Sequence, residues 1–171
     1  RTMKNLMLVL VLLVSGIGFG QTHRNDTITK TFFDVETMNL LMIEEINEYR
    51  IENGLPAFIV DTLLMRLSNR HTKWMAENEI YCHTSDERTP YWGDHRRYNF
   101  AENCMMGTCI YLGDTHLKLC RNMVGAWKHS ESHRNNILDP TNLYIGVGSY
   151  QMVNDKGQKC QYFVAQFRSF Q

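Results

Sequence analysis

Long hydrophobic runs are scarce in this sequence of 171 residues, and the one that stands out lies close to its start. Leu6–Val14 follows the basic residues Arg1 and Lys4 and is too short to span a bilayer, a pattern typical of an export signal. We therefore expect residues 1–20 to be a signal peptide, residues 21–33 a leader and residues 34–171 one folded domain. The mature chain should have no transmembrane span and should be secreted, either extracellular or periplasmic.

An excess of charge of either sign is also lacking. The 18 Lys and Arg residues balance the 18 Asp and Glu residues, and no long run of like charge interrupts the sequence. This balance argues against a nucleic-acid partner, because such proteins carry basic patches that neutralise phosphates. There is no glycine-rich loop that would cradle a phosphate, so we expect no organic cofactor.

Cysteine is present in an odd number. In an exported chain we expect disulfides, with two bridges and one free thiol as the simplest arrangement. Spacing alone does not give the pairing, although two cysteines lie close enough to close a small loop, and the odd count leaves an intermolecular bridge open. The five cysteines are Cys82, Cys104, Cys109, Cys120 and Cys160, of which Cys104 and Cys109 are the close pair.

The spacing of apolar residues predicts helices first and strands last. Helical spacing runs over residues 34–53, 61–79 and about 114–128, whereas residues 84–98 and 130–142 have no clear period. Alternation predicts strands over residues 143–152 and 160–167, joined by a hairpin turn at 154–157. This order is typical of an α+β layered domain.

Three residues at the ends of predicted elements are candidates for chemistry: His83, Glu102 and His133. Two imidazoles and a carboxylate are ligands that zinc or another divalent cation accepts, with water in a remaining position. The same groups can act as acid, base and orienting group without a metal. Whether they converge depends on the fold, and unrelated surface positions are the alternative.

Other readings of single residues stay open beside this one. His129 and His133 are four apart, as in helical zinc sites, but the motif of metalloproteases is absent and we expect His129 to face water. Ser130 lacks a glycine-flanked elbow and is predicted to be a cap or turn hydroxyl rather than a nucleophile. His71 lies within an apolar helical stripe and is expected to be a packed core histidine, and Cys82 beside His83 is expected to be bridged rather than reactive.

An aromatic cluster in the loop before Glu102 has two interpretations. It can line the rim of a cleft, or it can pack over the sheet, and we favour packing. Its members are Tyr91, Trp92, Tyr98 and Phe100.

Six motifs in succession resemble the CAP superfamily of the bacterial type, the SCP-like extracellular domain shared by cysteine-rich secretory proteins, antigen 5 and pathogenesis-related 1 proteins. The resemblance covers roughly residues 38–167, with the motifs in the family's order. The motifs are Asn47-Glu-Tyr-Arg50 with Asn53-Gly-Leu-Pro56, His71-Thr-Lys-Trp-Met-Ala76 with His83, Ala101-Glu102-Asn103, Trp127-Lys-His-Ser130 with Ser132-His-Arg134, Ile145-Gly-Val-Gly148, and Tyr162-Phe-Val-Ala-Gln-Phe167.

The resemblance implies an α-β-α sandwich with a central antiparallel sheet and a cavity lined by His83, Glu102, Ser130 and His133. It makes His83 and His133 the metal-binding pair. Ser130 stands where animal and plant members have a second glutamate, so a four-residue acid and histidine site does not transfer intact; Glu131 is one position off.

Two functions from different classes follow. The first is a secreted binding or interaction module whose cavity holds a divalent metal or a small-molecule, lipid-like or peptide ligand. The second is a metal-assisted extracellular hydrolase of the peptidase kind, with catalytic roles for Glu102, His83 and His133. The missing second glutamate favours binding.

Overall fold

A computed structural model describes residues 23–108, 113–153 and 159–169. The predicted signal peptide and the predicted turn at 154–157 lie outside these residues. Within the described ranges five helices and four strands are formed in the order α1, β1, α2, α3, β2, α4, α5, β3, β4. Their bounds are α1 Val35–Glu52, β1 Ile59–Val60, α2 Thr62–Glu77, α3 Asp94–Tyr98, β2 Ala101–Thr108, α4 His116–His129, α5 Glu131–Leu138, β3 Asn142–Val153 and β4 Lys159–Ser169.

The three long helices begin at side chains that cap them. Asp34 accepts a hydrogen bond from the backbone N–H of Thr37, and Asp61 accepts from the N–H groups at the start of α2. Thr115 does the same for α4. The predicted helices over 34–53, 61–79 and 114–128 are therefore confirmed to within two residues at each end.

The sheet has the strand order β1-β3-β4-β2. β4 pairs antiparallel with both β3 and β2, while the two-residue β1 adds a parallel edge to β3. In the β2–β4 register Glu102 lies opposite Gln166. This pairing brings a residue of the last strand to the carboxylate of the central Glu-Asn motif.

Helices cover both faces of the sheet. Alternate residues of β4 point to opposite faces, so Phe163, Ala165 and Phe167 pack with α1 and α4, whereas Tyr162 and Val164 pack with α2. The α-β-α sandwich with a mainly antiparallel sheet is confirmed.

Two glycines bring α2 unusually close to β3. A methyl group on Gly146 would lie 2.1 Å from the carbonyl carbon of Leu64, and one on Gly148 would lie 2.3 Å from that of Ser68. Both distances are far below van der Waals contact, so only glycine fits here. The hydroxyl of Ser68 donates to the carbonyl of Gly146 at 3.1 Å, which fixes the helix on the strand.

Arg50 is a buried guanidinium that joins three segments. It donates to the carbonyl of Pro56 after α1 at 2.8 Å, to those of Ile137 and Asp139 at the end of α5 at 2.6 and 3.1 Å, and to that of Asn142 in β3 at 3.2 Å. All four acceptors are backbone oxygens, so main-chain carbonyls satisfy the buried N–H groups of the guanidinium.

The segment before α1 is held by a buried histidine of α4. His116 accepts a hydrogen bond at Nε2 from the backbone N–H of Asp34 at 2.9 Å and donates from Nδ1 to the carbonyl of Asp26 at 3.1 Å. Ile28 of the same segment is buried, and Thr27 forms a β-bridge with Thr115. Residues 23–34 thus pack on the domain.

Two stretches predicted to be irregular contain helix. Residues 130–142 include α5, and residues 84–98 end in the short α3. α5 gives little apolar signal because Ile137 is its one fully buried residue and most of its other positions are polar. That prediction was wrong, since helical spacing in the sequence detects only helices with an apolar stripe.

The expected disulfides are not found among the described residues. Cys82, Cys104 and Cys120 are buried free thiols, while Cys109 lies outside the described ranges. Cys120 packs with α1, and Cys104 and Cys160 pack on the opposite face of the sheet. Cys120 acts as a small apolar core residue instead of a member of a bridge.

In the described part of the chain, none of the helices combines the length and apolar character needed to cross a bilayer.

Candidate functional site

Glu102 is the centre of a buried hydrogen-bond network on β2. Its side chain is 3% exposed. Oε1 accepts from Nδ1 of His83 at 3.0 Å and from the backbone N–H of Thr84 at 2.8 Å, and Oε2 accepts from Gln166 at 2.7 Å. The thiol of Cys104 donates to Oε1 at 3.2 Å, and the hydroxyl of Thr84 donates to Oε2.

These donors determine the charge of Glu102. Burial alone would raise the pKa of this carboxyl group, but hydrogen bonds from His83, Thr84 and Gln166, together with the nearby His71, lower it to about 2. The group is therefore a carboxylate at all physiological pH values, and its lone pairs are occupied.

His83 follows α2 and lies between this network and the surface. Its side chain is 52% exposed, and Nδ1 donates to Glu102. This hydrogen bond raises the pKa of His83 against the opposing effect of burial. Glu102 thus fixes the ring so that Nε2 points away from the carboxylate.

His133 comes from α5, which is fastened to β2 by amide side chains. Asn103 donates to the carbonyl of His133 at 3.0 Å, and Asn136 donates to the side-chain oxygen of Asn103 at 2.8 Å. The ring stacks on Trp127 with centroids 6.4 Å apart. Burial, and then the charge of His83, lower the pKa of His133.

Ser130 lies at the junction of α4 and α5. Although it occupies the cap position of α5, its side chain makes no capping hydrogen bond; its hydroxyl instead pairs with Nδ1 of His133 at 2.8 Å. Beside it is an open, polar cavity of about 550 Å³. This cavity is lined by Ser130, Glu131, Ser132 and Asn135.

The break at Ser130 separates the two histidines of the His-Ser-Glu-Ser-His segment. His129 ends α4 and donates from Nδ1 to the carbonyl of Gly125 at 2.7 Å, whereas His133 belongs to α5. The two rings do not share one helix face. Glu131 is exposed and lines the cavity instead of contacting a histidine.

His71 is fully buried next to the network. Nε2 donates to the carbonyl of Cys82 at 2.9 Å, and Nδ1 pairs with the hydroxyl of Tyr91 at 3.1 Å. Burial lowers the pKa of His71, which is consistent with a neutral ring that donates at one nitrogen and accepts at the other. Tyr91 therefore packs inward, while Trp92 in the same loop is 41% exposed.

Three residues of the network do not follow from the sequence reasoning: Thr84, Cys104 and Gln166. The sequence does indicate two of them by position. Thr84 is adjacent to His83, and Cys104 is two residues from Glu102, which places both side chains on one face of the strand. Gln166 depends on the pairing of β2 with β4, which the sequence does not give.

The sequence model of the family described as "CAP: Cysteine-rich secretory protein family" matches residues 43–167. An uncharacterised protein of Bacillus subtilis, YkwD, is 25% identical over 126 residues, which are 74% of this chain and 48% of that protein. The chain thus spans about half the length of this curated relative.

Solved structures show the same fold. An outer surface protein from Borrelia burgdorferi superposes with a TM-score of 0.57 at 19% identity, covering 81% of this chain and 97% of that one. An extracellular protein containing a SCP domain from Bacillus anthracis superposes with a TM-score of 0.53 at 22% identity, covering 79% of this chain and 41% of that one.

Proposed function

The chain belongs to the cysteine-rich secretory protein family, and we propose that it is a secreted binding module that holds a divalent cation such as zinc at the site of His83, Glu102 and His133. The observation that carries this proposal is the hydrogen bond between Nδ1 of His83 and the buried carboxylate of Glu102. In metal sites a ligating histidine donates its second ring N–H to a carboxylate, which orients the ring.

The chemistry of both histidines fits a cation. Nδ1 of His83 is held by Glu102 and Nδ1 of His133 by Ser130, whereas in the described part of the chain Nε2 of neither ring has a hydrogen-bond partner. Imidazole nitrogens are common zinc ligands, and water can fill the remaining positions. A bound cation would act as a Lewis acid toward a ligand in the adjoining polar cavity.

The state of Glu102 favours binding over hydrolysis. A general base needs a free lone pair and a pKa near the working pH. Glu102 accepts from five donor groups, and its pKa is lowered to about 2 against the effect of burial. It is suited to orient His83, and the hydrolase would need a different base.

Zinc titration of the purified mature protein, followed by calorimetry, tests the proposal. We expect one ion per chain, with affinity lowered at least about tenfold in His83→Ala and in Glu102→Gln, because both the ligand and its orienting partner matter. His129→Ala is the matched control, since this histidine bonds within its own helix. Zinc binding that survives both His83→Ala and His133→Ala would refute the proposal, as would a failure of the parent to bind.

A further inference from the structure

The core-facing side of His83 presents a second set of donor atoms. Glu102 and Cys104 are two residues apart on β2, so their side chains leave the strand on the same face. Sγ of Cys104 lies 3.2 Å from Oε1 of Glu102 and 3.5 Å from Nδ1 of His83, and the last two atoms are 3.0 Å apart. One sulfur, one nitrogen and one oxygen thus form a compact triangle.

The dimensions of this triangle are close to one face of a tetrahedral zinc site. Zinc lies about 2.0–2.2 Å from nitrogen and oxygen and about 2.3 Å from sulfur, so neighbouring donors in a tetrahedron are about 3.3–3.6 Å apart. The observed edges of 3.0, 3.2 and 3.5 Å are all within a few tenths of an ångström of that range.

Charge also fits an ion at this position. Without one, a carboxylate is buried beside a thiol and an imidazole, and its negative charge is compensated by hydrogen bonds and by the nearby His71. A divalent cation bound by one thiolate, one carboxylate and one neutral imidazole makes a neutral group. A neutral cluster costs less to bury than an isolated charge.

We propose that Cys104, Glu102 and Nδ1 of His83 form a thiolate-containing site for zinc or a similar thiophilic divalent cation. This inference rests on the proposed function, in which the chain binds a divalent cation. The ligands differ, because Sγ of Cys104 takes the place of His133. On binding, the thiol proton leaves to solvent and the ring of His83 carries its proton on Nε2. A neutral imidazole has one lone pair for a metal, so this position and the one facing His133 compete for His83.

Water would supply the fourth ligand, because the remaining nearby histidine is already engaged. One donor atom of His71 lies in a group with donor atoms of Glu102 and Cys104, all within 4.8 Å of one another. The two nitrogens of His71 are bonded to the carbonyl of Cys82 and the hydroxyl of Tyr91.

Cobalt titration separates the two donor sets, because a thiolate bound to cobalt(II) gives a near-ultraviolet charge-transfer band that imidazole and carboxylate do not. We expect the mature protein to develop this band at one equivalent of cobalt. Cys104→Ser should lose the band and weaken zinc binding at least about tenfold. His133→Ala and Cys120→Ala should keep the band; the second variant removes a buried thiol on the other face of the sheet.

X-ray absorption of the zinc-loaded parent gives a test that does not depend on any variant folding. A sulfur neighbour at about 2.3 Å supports the thiolate site. Zinc surrounded by nitrogen and oxygen alone, with binding lost in His133→Ala, overturns the inference and leaves the proposed function standing. Failure of the parent to bind either metal overturns both.

Discussion

Glu102 accepts hydrogen bonds from three separate parts of the fold. His83 and Thr84 follow α2, Cys104 belongs to β2, and Gln166 belongs to β4. A buried carboxylate satisfied in this way both orients its neighbours and ties together the segments that carry them.

Removing this acceptor should destabilise the domain. Glu102→Ala leaves several buried donors without a partner, and we expect it to lower the free energy of unfolding by about 2–4 kcal/mol. Urea unfolding followed by circular dichroism measures the change. Glu131→Ala is the matched control on the exposed cavity wall and should stay within about 0.5 kcal/mol. Equal stability of the two variants would contradict this role of Glu102.

His116 makes the attachment of residues 23–34 sensitive to pH. Its Nε2 accepts from a backbone N–H, so protonation there places two donors face to face. Burial lowers the pKa of His116 below its ordinary 6.5, although Asp26 and Asp34 oppose the shift and His23 adds to it. The unfolded chain therefore takes up the proton more readily than the folded one.

The sign of the effect follows from this difference in proton binding. His116 contributes its full stabilisation above about pH 6.5, and that contribution is lost as the pH falls toward its lower folded value. Hydrogen exchange measured by mass spectrometry should show residues 23–34 losing protection under mildly acidic conditions before the sheet does. After correction for the intrinsic pH dependence of amide exchange, the protection of residues 23–34 in His116→Gln should depend little on pH over the same range. Equal pH dependence of this protection in the variant and its parent would argue against the histidine as the cause.

At the scale of elements, α2 and β3 depend on two glycines. Gly146→Ala places a methyl group 2.1 Å from the backbone of Leu64, and a helix backbone cannot yield as a flexible side chain can. We expect a loss of about 3 kcal/mol or more in unfolding free energy, or failure to fold. Thermal unfolding of the variant and its parent measures this difference.

Gly125→Ala is the control for that variant. A methyl group on Gly125, in α4, meets nothing within 4 Å, so alanine should stabilise the helix by about 0.5–1 kcal/mol. If Gly146→Ala behaved like Gly125→Ala, the close packing of α2 on β3 would be wrong.

Elements with caps and apolar stripes could be predicted from the sequence, and elements held by polar contacts could not. α1 and α2 follow Asp34 and Asp61 and carry buried residues at helical spacing. α5 has Ile137 as its buried residue and is fixed to β2 by the amides of Asn103 and Asn136. Such amide contacts do not produce a regular spacing of apolar residues, so the sequence does not reveal the helix.

The same distinction holds for the site. The family resemblance implies that His83 and Glu102 line one cavity, and a hydrogen bond joins them in the structure. Gln166 joins them through the register of β2 on β4, which depends on residues far apart in sequence. Non-local strand pairing is the step at which reasoning from one sequence stops.

For the whole molecule, the buried free thiols of Cys82, Cys104 and Cys120 imply that stability does not depend on a disulfide at any of these three positions. Denatured protein treated with iodoacetamide in the absence of reductant should carry at least three labels, one for each of these cysteines. Intact mass spectrometry counts the labels. Fewer than three labels would mean that at least one of the three thiols is bridged.

Arg50 couples the helix that carries His133 to the rest of the domain. Its guanidinium reaches the carbonyls of Ile137 and Asp139 at the end of α5 and that of Asn142 at the start of β3. If α5 unfolded alone, the buried guanidinium of Arg50 would lose hydrogen-bond acceptors. The unfolding of α5 is therefore coupled to that of the sheet. The residue that keeps the site in one cooperative unit therefore lies outside it, in the first helix of the chain.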